Sequence, residues 1–438
     1  MDYASAVEDL RRQFYALPEG APIRLGKKTS NLFRHRTGPS ARLDVAAFAG
    51  VLSVGEGVAE VLGMTTYEEL VDATLPTGQM PLVVPQLKTI TLGGAVTGLG
   101  IESSSFRNGT PHESVLEMDV LTGAGEVVTC SRTQNPDLFF GFPNSYGSLG
   151  YALRLRIELE PVQPYVQLQH VRCGSVAEAV EVMRAPGADF CDGTWFSPTE
   201  VYVTLGTWSC AAPLLSDYTG RDIYYRSIQR KTEDWLTVRD YLWRWDTDWF
   251  WCSRAFGAQN PAVRRWIPRR YLRSDTWWKL VAFEQRHRYK TRWDRRRGLP
   301  EREEVVQDVE VPIDRLAEFM EVFAREVPIE PVWFCPLQQR AAVEVWDLYR
   351  LEPDTLYVNI GFWSSVALEP GEDPTTHNRL IEDLVDALGG RKSLYSTSFY
   401  DVERFWQLYN GPVYDLLKKT YDPDTRLLDL YQKTVERK

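Results

Sequence analysis

The residues best suited to hold a charged ligand lie in a short loop near the amino terminus. This loop, Gly26–Asn31, follows the apolar run 22–25, which reads as a short strand. Backbone N–H groups in such a turn point outward, and glycine lets an anion approach closely. The rest of the loop adds positive charge and hydrogen-bond donors through Lys27, Lys28, Thr29, Ser30 and Asn31. The loop therefore fits a pyrophosphate, and an ordinary surface turn is the alternative.

A second glycine-rich segment, residues 91–105, combines glycines with small hydroxyl residues. Ordering such a chain costs considerable entropy, which is reasonable where backbone amides and hydroxyls line a flat or phosphorylated cofactor. The pair Gly98 and Gly100 does not complete the G-x-G-x-x-G pattern, so a Rossmann dinucleotide fold is not supported. A plain glycine-rich loop is the alternative interpretation.

Two carboxyl groups are candidates for proton transfer. Burial of Glu102, in the glycine-rich segment, would raise its pKa and make it an acid; the alternative is a carboxylate that accepts hydrogen bonds from loop amides. Asp308 lies in the strand-like run 305–311, where alternation puts Gln307 on the apolar face with three valines and Asp308 with Glu310 on the other. A solvated pair at a sheet edge is the alternative for Asp308.

Apolar periodicity predicts the elements that position these residues. In the first part of the chain we expect helices over 3–15 and 66–73, paired strands at 51–54 and 58–61, a hairpin over 118–128 and a strand over 153–159. Strand-like runs then occur within 166–206 and at 304–311, 328–334 and 356–363, with helices at 176–183 and 315–323. This order predicts an α+β protein with domains at 1–161 and 162–399, and a helical segment, 400–438, that packs back on the core.

Composition excludes several classes of protein. No apolar run is long enough to span a membrane, and the amino terminus lacks the pattern of a secretory signal. The six cysteines are scattered without a C-x-x-C pair, and the five histidines are widely separated. We therefore expect no disulfide scaffold, no metal site and a cytoplasmic location.

Residues 221–302 differ from the rest of the chain in charge. They contain 21 Lys and Arg against 10 Asp and Glu, and nine of the 15 tryptophans lie between Trp235 and Trp293. Such a block can contact phosphates at an anionic membrane or in nucleic acid. The alternative is a helical cap with buried tryptophans and a solvated basic face. We expect a peripheral membrane contact at the inner face and no nucleic-acid partner.

Several short motifs, taken in order, resemble the FAD-binding domain of the vanillyl-alcohol-oxidase/PCMH class over roughly residues 20–160. They are the loop at 26–31, 85–86, 91–94, 102–105, 123–128 and 147–150. Nearly the whole chain is similar to the delta-24 sterol reductase group, through 100–105, 135–139, 147–150, 305–308, 333–336, 405–406 and 411. The resemblance implies a PCMH-type FAD-binding fold with a second α+β substrate domain, in which 221–302 is an insertion.

The resemblance also implies roles for particular residues. The loop at 26–31 would hold the FAD pyrophosphate, and because it contains neither His nor Cys we expect non-covalent FAD. Other positions would follow the ribityl chain, the flavin and the adenine: Gly94, Thr97, Gly98, Glu102, Ser103, Ser104, Gly150 and Tyr151. Related alditol oxidases carry a His-Trp-x-Lys element near Lys392 and Tyr395. This chain lacks that element, which argues against polyol oxidation and leaves these two residues as further catalytic candidates.

The sterol reductases carry an amino-terminal membrane anchor, whereas this chain starts at the flavin-type domain, so we expect a lipid other than a sterol. The chain is similar in size and character to actinobacterial flavoproteins that reduce a methylene-branched acyl chain after a methyltransferase has acted. We therefore expect an FAD-dependent alkene reductase with NADPH as donor, a lipid acyl substrate and a methyltransferase partner. A sterol delta-24 reductase and an alcohol or alditol oxidase on the same fold are the alternatives.

Overall fold

The structure is a computed structural model that describes residues 2–18, 20–27 and 41–437, apart from the side chains of residues 290 and 291. It confirms the predicted α+β class. The strands are β1 Ile23–Leu25, β2 Ala41–Leu43, β3 Val51–Val54, β4 Val58–Leu62, β5 Gln79–Pro81, β6 Val115–Thr122, β7 Val127–Ser131, β8 Gly150–Pro161, β9 Tyr165–Cys173, β10 Phe190–Ser197, β11 Glu200–Ser209, β12 Glu233–Thr237, β13 Arg302–Pro312, β14 Val332–Leu337, β15 Tyr357–Ala367 and β16 Arg391–Lys392.

Helices occupy both parts of the chain. They are α1 Tyr3–Ala16, α2 Tyr67–Thr74, α3 Leu92–Thr97, α4 Ser105–Asn108, α5 Pro136–Gly141, α6 Val176–Arg184, α7 Tyr224–Ile228, α8 Val238–Leu242, α9 Pro261–Arg264, α10 Ser274–His287, α11 Tyr289–Arg296, α12 Leu316–Glu326, α13 Thr376–Ala387, α14 Val402–Leu408, α15 Gly411–Tyr421 and α16 Leu430–Thr434. Among the described residues, no helix is both long and apolar enough to cross a membrane.

The first sheet contains six strands. Its path is β3-β4-β8-β6-β7, and β5 pairs with β8 at one end. The strict alternation of β8 explains its central place, because Leu153, Leu155 and Ile157 are fully buried. The sequence allows either Thr65 or Thr66 as the cap of the predicted helix at 66–73, and in the structure Thr66 starts α2 through a capping box with Glu69. Strands β1 and β2 form a separate parallel pair beside this sheet.

The second sheet contains eight strands in the order β12-β9-β11-β10-β14-β15-β13-β16. Its pairs are antiparallel, and α6, α12 and α13 cover one face. The predicted alternation of β13 is present, since Val305 and Val309 are buried in the core beneath these helices. Gln307 also points to this side and donates from Nε2 to Oδ1 of Asn378 at 2.7 Å. Asp308 therefore faces the opposite side of the sheet.

The structure differs from the predictions in two segments. The glycine-rich segment is not a continuous loop, because α3 begins at the Thr91 cap and ends at Thr97. The basic segment 221–302 is less helical than predicted: β12 extends the second sheet, and α7, α8 and α9 have five residues or fewer. Within this segment the buried carboxylate of Asp248 accepts two hydrogen bonds from Arg264, which connects the chain near residue 248 to α9.

The carboxy-terminal helices contact the first sheet and its loops. Lys418 donates to the carbonyl of Ser148 at 2.8 Å, and the Tyr421 hydroxyl reaches Asp137. A Cβ at Gly141 would lie 2.2 Å from the Leu417 side chain, so α5 and α15 pack at the closest distance that glycine allows. The last forty residues thus lie against the first part of the chain.

Candidate active site

A cavity of about 780 Å³ lies where the two parts of the chain meet. Its volume is in the range of small-molecule and cofactor sites. One wall comes from the segment 85–101, which includes α3, and the other from β13, β14 and β15 of the second sheet. Helix α10 contributes a third side. The cavity therefore draws on several widely separated regions of the sequence.

Close packing explains the glycines at the centre of the first wall. Helix α3 lies against β4 and β8, and a Cβ at Gly93 would be 2.7 Å from the carbonyl oxygen of Gly63. A Cβ at Gly63 would in turn be 2.0 Å from the carbonyl oxygen of Ala152. Gly94 and Gly98 line the cavity beside Thr97. The glycines thus let α3 pack closely against the first sheet on one side while its backbone lines the cavity on the other.

Three cationic side chains gather at one end of the cavity. Arg24 of β1, Lys27 just after it and Arg42 of β2 all line the wall, and the parallel pairing sets Arg24 opposite Arg42. Lys27 donates from Nζ to Oγ1 of Thr91 at 3.0 Å, and burial alone lowers its pKa to about 8. This donor set fits the pyrophosphate of FAD, since a buried ammonium gains most from an anionic partner.

Aromatic rings form the wall contributed by the second part of the chain. Trp333 of β14 and Trp363 of β15 both pack against Phe250, with ring centroids 5.3 Å and 4.4 Å apart. Trp249 and Phe250 have φ values of 46° and 58°, which is unusual for two successive bulky residues. This strained turn places both rings in the cavity, so the wall is apolar and suited to a hydrocarbon.

Hydrogen bonds from two other regions hold Asp246, three residues before the strained turn. The buried carboxylate of Asp246 accepts from the backbone N–H of Lys88 at 3.0 Å and from the Ser274 hydroxyl at 2.5 Å. Lys88 belongs to the first wall and Ser274 begins α10. One carboxylate therefore ties the aromatic wall to the glycine-rich wall and to the helix.

Asp308 is the carboxyl group that faces this cavity. Its cross-strand partner is Gly361, and a Cβ there would come within 2.4 Å of Oδ1, so only glycine leaves room for the carboxyl group. Burial raises the pKa of Asp308 to about 7, against a smaller lowering effect of the neighbouring Tyr395 and Asn359 side chains. Oδ1 has no hydrogen-bond partner among the described residues. The group can therefore hold a proton near neutral pH.

Further polar atoms without partners lie behind Asp308. The amide of Asn359, which lines the cavity, has no hydrogen bond at Oδ1 or Nδ2 within the described part of the chain. Its cross-strand partner Glu310 accepts a hydrogen bond from Tyr349, and burial raises the Glu310 pKa to about 8. Clustered buried polar atoms of this kind are normally hydrogen-bonded to water or ligand.

Seven predicted site residues line the cavity: Lys27, Gly94, Thr97, Gly98, Tyr151, Asp308 and Tyr395. The Tyr395 hydroxyl accepts from the Trp363 indole at 2.8 Å. Gly26 lies next to this group at the end of β1. Lys28, Thr29, Ser30 and Asn31 lie outside the described residues.

Other predicted site residues are buried away from the cavity with partners of their own. Glu102 accepts from Arg244 at 2.7 Å, and Lys392 donates to Glu382 at 2.5 Å. Ser103 and Ser104 bond to the Tyr241 hydroxyl and to the Leu82 carbonyl. Gln307 points into the core below α13, and Gly150 packs against β6. These residues use their polar groups or close packing to join different parts of the fold, and they do not line the cavity.

Residues that the sequence patterns did not indicate complete the site. Arg24, Arg42, Trp249, Phe250 and Asn359 all line the cavity. Arg24 could have been predicted, because it belongs to the strand that precedes the predicted anion loop. Trp249 and Phe250 could not be told apart from the other aromatic residues of the basic segment, in which most tryptophans are buried in the core. Nothing in the sequence indicated Asn359.

Comparison with known proteins agrees with this geometry. Residues 12–131 match an FAD binding domain family. The chain is 25% identical over 371 residues to the Delta(24)-sterol reductase of Rattus norvegicus, covering 80% of this chain and 69% of that protein. The Arabidopsis thaliana Delta(24)-sterol reductase is 22% identical over 444 residues, or 90% and 76%. Cytokinin dehydrogenase 6 of Oryza sativa subsp. japonica is 40% identical over 105 residues, or 24% and 20%.

The matched domain contains the cationic end and the glycine-rich wall of the cavity, and the donor set there fits FAD. The similarity to the sterol reductases extends through both sheets. The chain is therefore an FAD-dependent oxidoreductase with a PCMH-type FAD binding domain in a two-domain α+β fold.

Proposed function

We propose that the protein reduces a carbon–carbon double bond of a lipid, with FAD as the redox cofactor and NADPH as the electron donor. One observation carries the proposal: the Asp308 carboxyl group, with a pKa of about 7 and an unpartnered oxygen, faces a cavity with aromatic walls beside the glycine-rich wall of the FAD binding domain.

An isolated alkene needs a proton as well as a hydride, because no carbonyl group stabilises a developing carbanion. FAD, when bound and reduced, supplies the hydride. Protonated Asp308 donates its proton to the adjacent carbon, and the buried site keeps that carboxyl group neutral near pH 7. Lys27, Arg24 and Arg42 would hold the pyrophosphate end, and the wall of Trp249, Phe250 and Trp333 would exclude water and orient the hydrocarbon.

Two substrates suit an apolar cavity of this kind. The first is a methylene-branched fatty acyl chain, reduced to the methyl-branched product. The second is a sterol side chain, which the similarity of most of the chain to Delta(24)-sterol reductases favours. Both substrates present an isolated double bond to the same acid, so the proposed chemistry is common to them.

Anaerobic stopped-flow of the FAD-loaded protein tests the function. We expect NADPH to bleach the flavin absorbance, and a methylene-branched acyl phospholipid or a sterol with a side-chain double bond to restore it. The substrate that restores the absorbance faster identifies the lipid class. If NADPH leaves the flavin oxidised and an alcohol bleaches it with later oxygen uptake, the protein is an alcohol oxidase and the proposal is wrong.

A further inference from the structure

Exposed apolar side chains concentrate in one short stretch of the described chain. Of sixteen large hydrophobic residues that are exposed, eight lie between Val263 and Leu299. The most exposed of these eight are Trp266 at 77%, Trp293 at 61% and Tyr289 at 58%. Other tryptophans of the basic segment, such as Trp245, are buried in the core. The exposed aromatic residues of this stretch thus differ from the buried tryptophans of the same basic segment, and their exposure needs a separate explanation.

This surface is strongly cationic. Residues 263–299 contain 13 Lys and Arg and three Asp and Glu, a net charge of +10, whereas the whole chain has a net charge of -10. Ion pairs account for part of the charge: Lys279 pairs with Asp275 inside this stretch, and Arg264, Arg269, Arg273 and Arg295 pair with carboxylates outside it. The other Lys and Arg of the stretch still outnumber its two other carboxylates, Glu284 and Asp294. An anionic partner with an apolar interior would satisfy both features of the surface.

Helix α10 connects this surface to the cavity. Ala282, Gln285 and Arg286, spaced three and four residues apart, line the cavity on one face of the helix. Leu280 and Phe283 lie on another face and are 41% and 54% exposed. A single helix of 14 residues therefore has one side on the proposed lipid site and another side on the exposed surface.

Aromatic rings continue the exposed face into α11. The rings of Phe283 and His287 are 4.6 Å apart, and His287 stacks on Tyr289 at 5.6 Å. Arg292 and Arg296 follow on α11. Tyrosine and tryptophan with flanking arginines are the residues that sit at the boundary between lipid headgroups and acyl chains.

We propose that residues 263–299, here called the docking surface, bind the surface of an anionic phospholipid bilayer and that α10 forms the entry from the bilayer to the cavity. Binding to the bilayer is independent of the reaction. Entry of substrate through α10 rests on the proposed function.

The test is sedimentation of the FAD-loaded protein with vesicles of equimolar phosphatidylglycerol and phosphatidylcholine, compared with phosphatidylcholine alone. We expect binding to the anionic vesicles that weakens with salt. Each basic residue near such a surface contributes about fivefold to partitioning, so reversal of Arg292, Arg296 and Arg297 to glutamate should reduce it by more than about 100-fold. Trp266→Ala with Trp293→Ala should weaken binding without changing the salt dependence.

Two matched controls lie on other surfaces. Arg12→Glu changes an arginine whose side chain is 77% exposed on α1, and Leu416→Ala removes an apolar side chain that is 66% exposed on α15. Both should bind vesicles as the unaltered protein does. Full binding by the arginine-reversal and tryptophan variants would overturn the proposal, as would tight binding to nucleic acid without binding to anionic vesicles, or a dimer that depends on Trp266 and Trp293.

Activity assays separate this proposal from the proposed function. Variants of the docking surface should keep flavin reduction by NADPH and reduction of a detergent-dispersed lipid, but lose turnover of the same lipid in vesicles. Lipid reduction without vesicle binding would overturn the docking surface alone. Vesicle binding by a protein that reduces no lipid would overturn the proposed function and the role of α10 as an entry, and leave the bilayer contact intact.

Discussion

Replacement of Asp308 by asparagine separates proton donation from every other step. The variant keeps the size of the side chain and loses the acidic proton. Removal of a general acid typically slows the step that it serves by about 10²- to 10⁴-fold. Reduction of the flavin by NADPH needs no proton from Asp308, so it should be unchanged, whereas reoxidation by lipid should slow by that factor.

The same variant has a calculable effect on stability. The ordinary pKa of 3.8 rises to about 7 in the folded protein, a change equivalent to about 4 kcal/mol. Between these two values the folded protein holds a proton that the unfolded chain has lost, so stability from this group falls as pH rises through that window. Asparagine does not titrate. The stability of Asp308→Asn relative to the unaltered protein should therefore increase by up to about 4 kcal/mol from about pH 4 to about pH 8.

Single-turnover stopped-flow and urea unfolding across pH measure the two effects. Asp314→Asn is the control, since the Asp314 side chain is 72% exposed and pairs with Arg184 on the surface just beyond β13. That variant should show neither change. Wild-type reoxidation by Asp308→Asn would remove Asp308 as the acid. A stability difference that stays constant with pH would show that the carboxyl group titrates normally and would refute the structural reasoning.

Three further predictions concern other parts of the site. Lys27→Met should weaken FAD binding in a fluorescence titration, and only the unaltered protein should lose affinity as pH rises above about 8, because its ammonium then deprotonates. Gly361→Ala should displace the Asp308 carboxyl group and slow lipid-dependent reoxidation with FAD content retained, whereas Gly55→Ala, where a Cβ meets only an atom at 3.7 Å, should not. Arg244→Met should cost about 3–5 kcal/mol in urea unfolding by leaving Glu102 and Asp192 buried without their cation; Arg12→Met, on the surface, is its control.

Local patterns predicted much of the fold. The helical spacing in α1, the Thr66 cap of α2 and the alternation in β8 and β13 correspond to elements of the structure because each is set within about a dozen residues. The secondary structure of the segment between 221 and 302 was harder to predict. Its tryptophans suggested helices, but burial against the second sheet and the Asp248–Arg264 pair favour short turns instead.

The site was only partly predictable for a related reason. Asp308 could be chosen because its neighbours in sequence indicate a strand, and Tyr395 through the resemblance to the alditol oxidases; both line the cavity. From the sequence, Glu102 was an equally good candidate for the proton donor. In the structure it pairs instead with Arg244, which lies 142 residues further along the chain. No local pattern specifies that contact. Long-range pairing thus determines which of two similar carboxyl groups faces the cavity.

The pairing of Glu102 has a consequence for the aromatic wall. Arg244 bridges Glu102 of the first domain to Asp192 of β10, with N···O distances of 2.7 Å and 3.0 Å. The same Oδ2 of Asp192 accepts from the indoles of Trp245 at 3.2 Å and Trp333 at 3.1 Å. Trp333 lines the cavity, so one buried carboxylate connects the wall to the FAD binding domain. Because such a buried network tolerates only one geometry, it fixes the aromatic wall relative to the glycine-rich wall. In the proposed alkene reduction, Asp308 of the second domain would deliver its proton beside a cofactor held by the first domain, and a rigid connection of this kind would keep the two aligned.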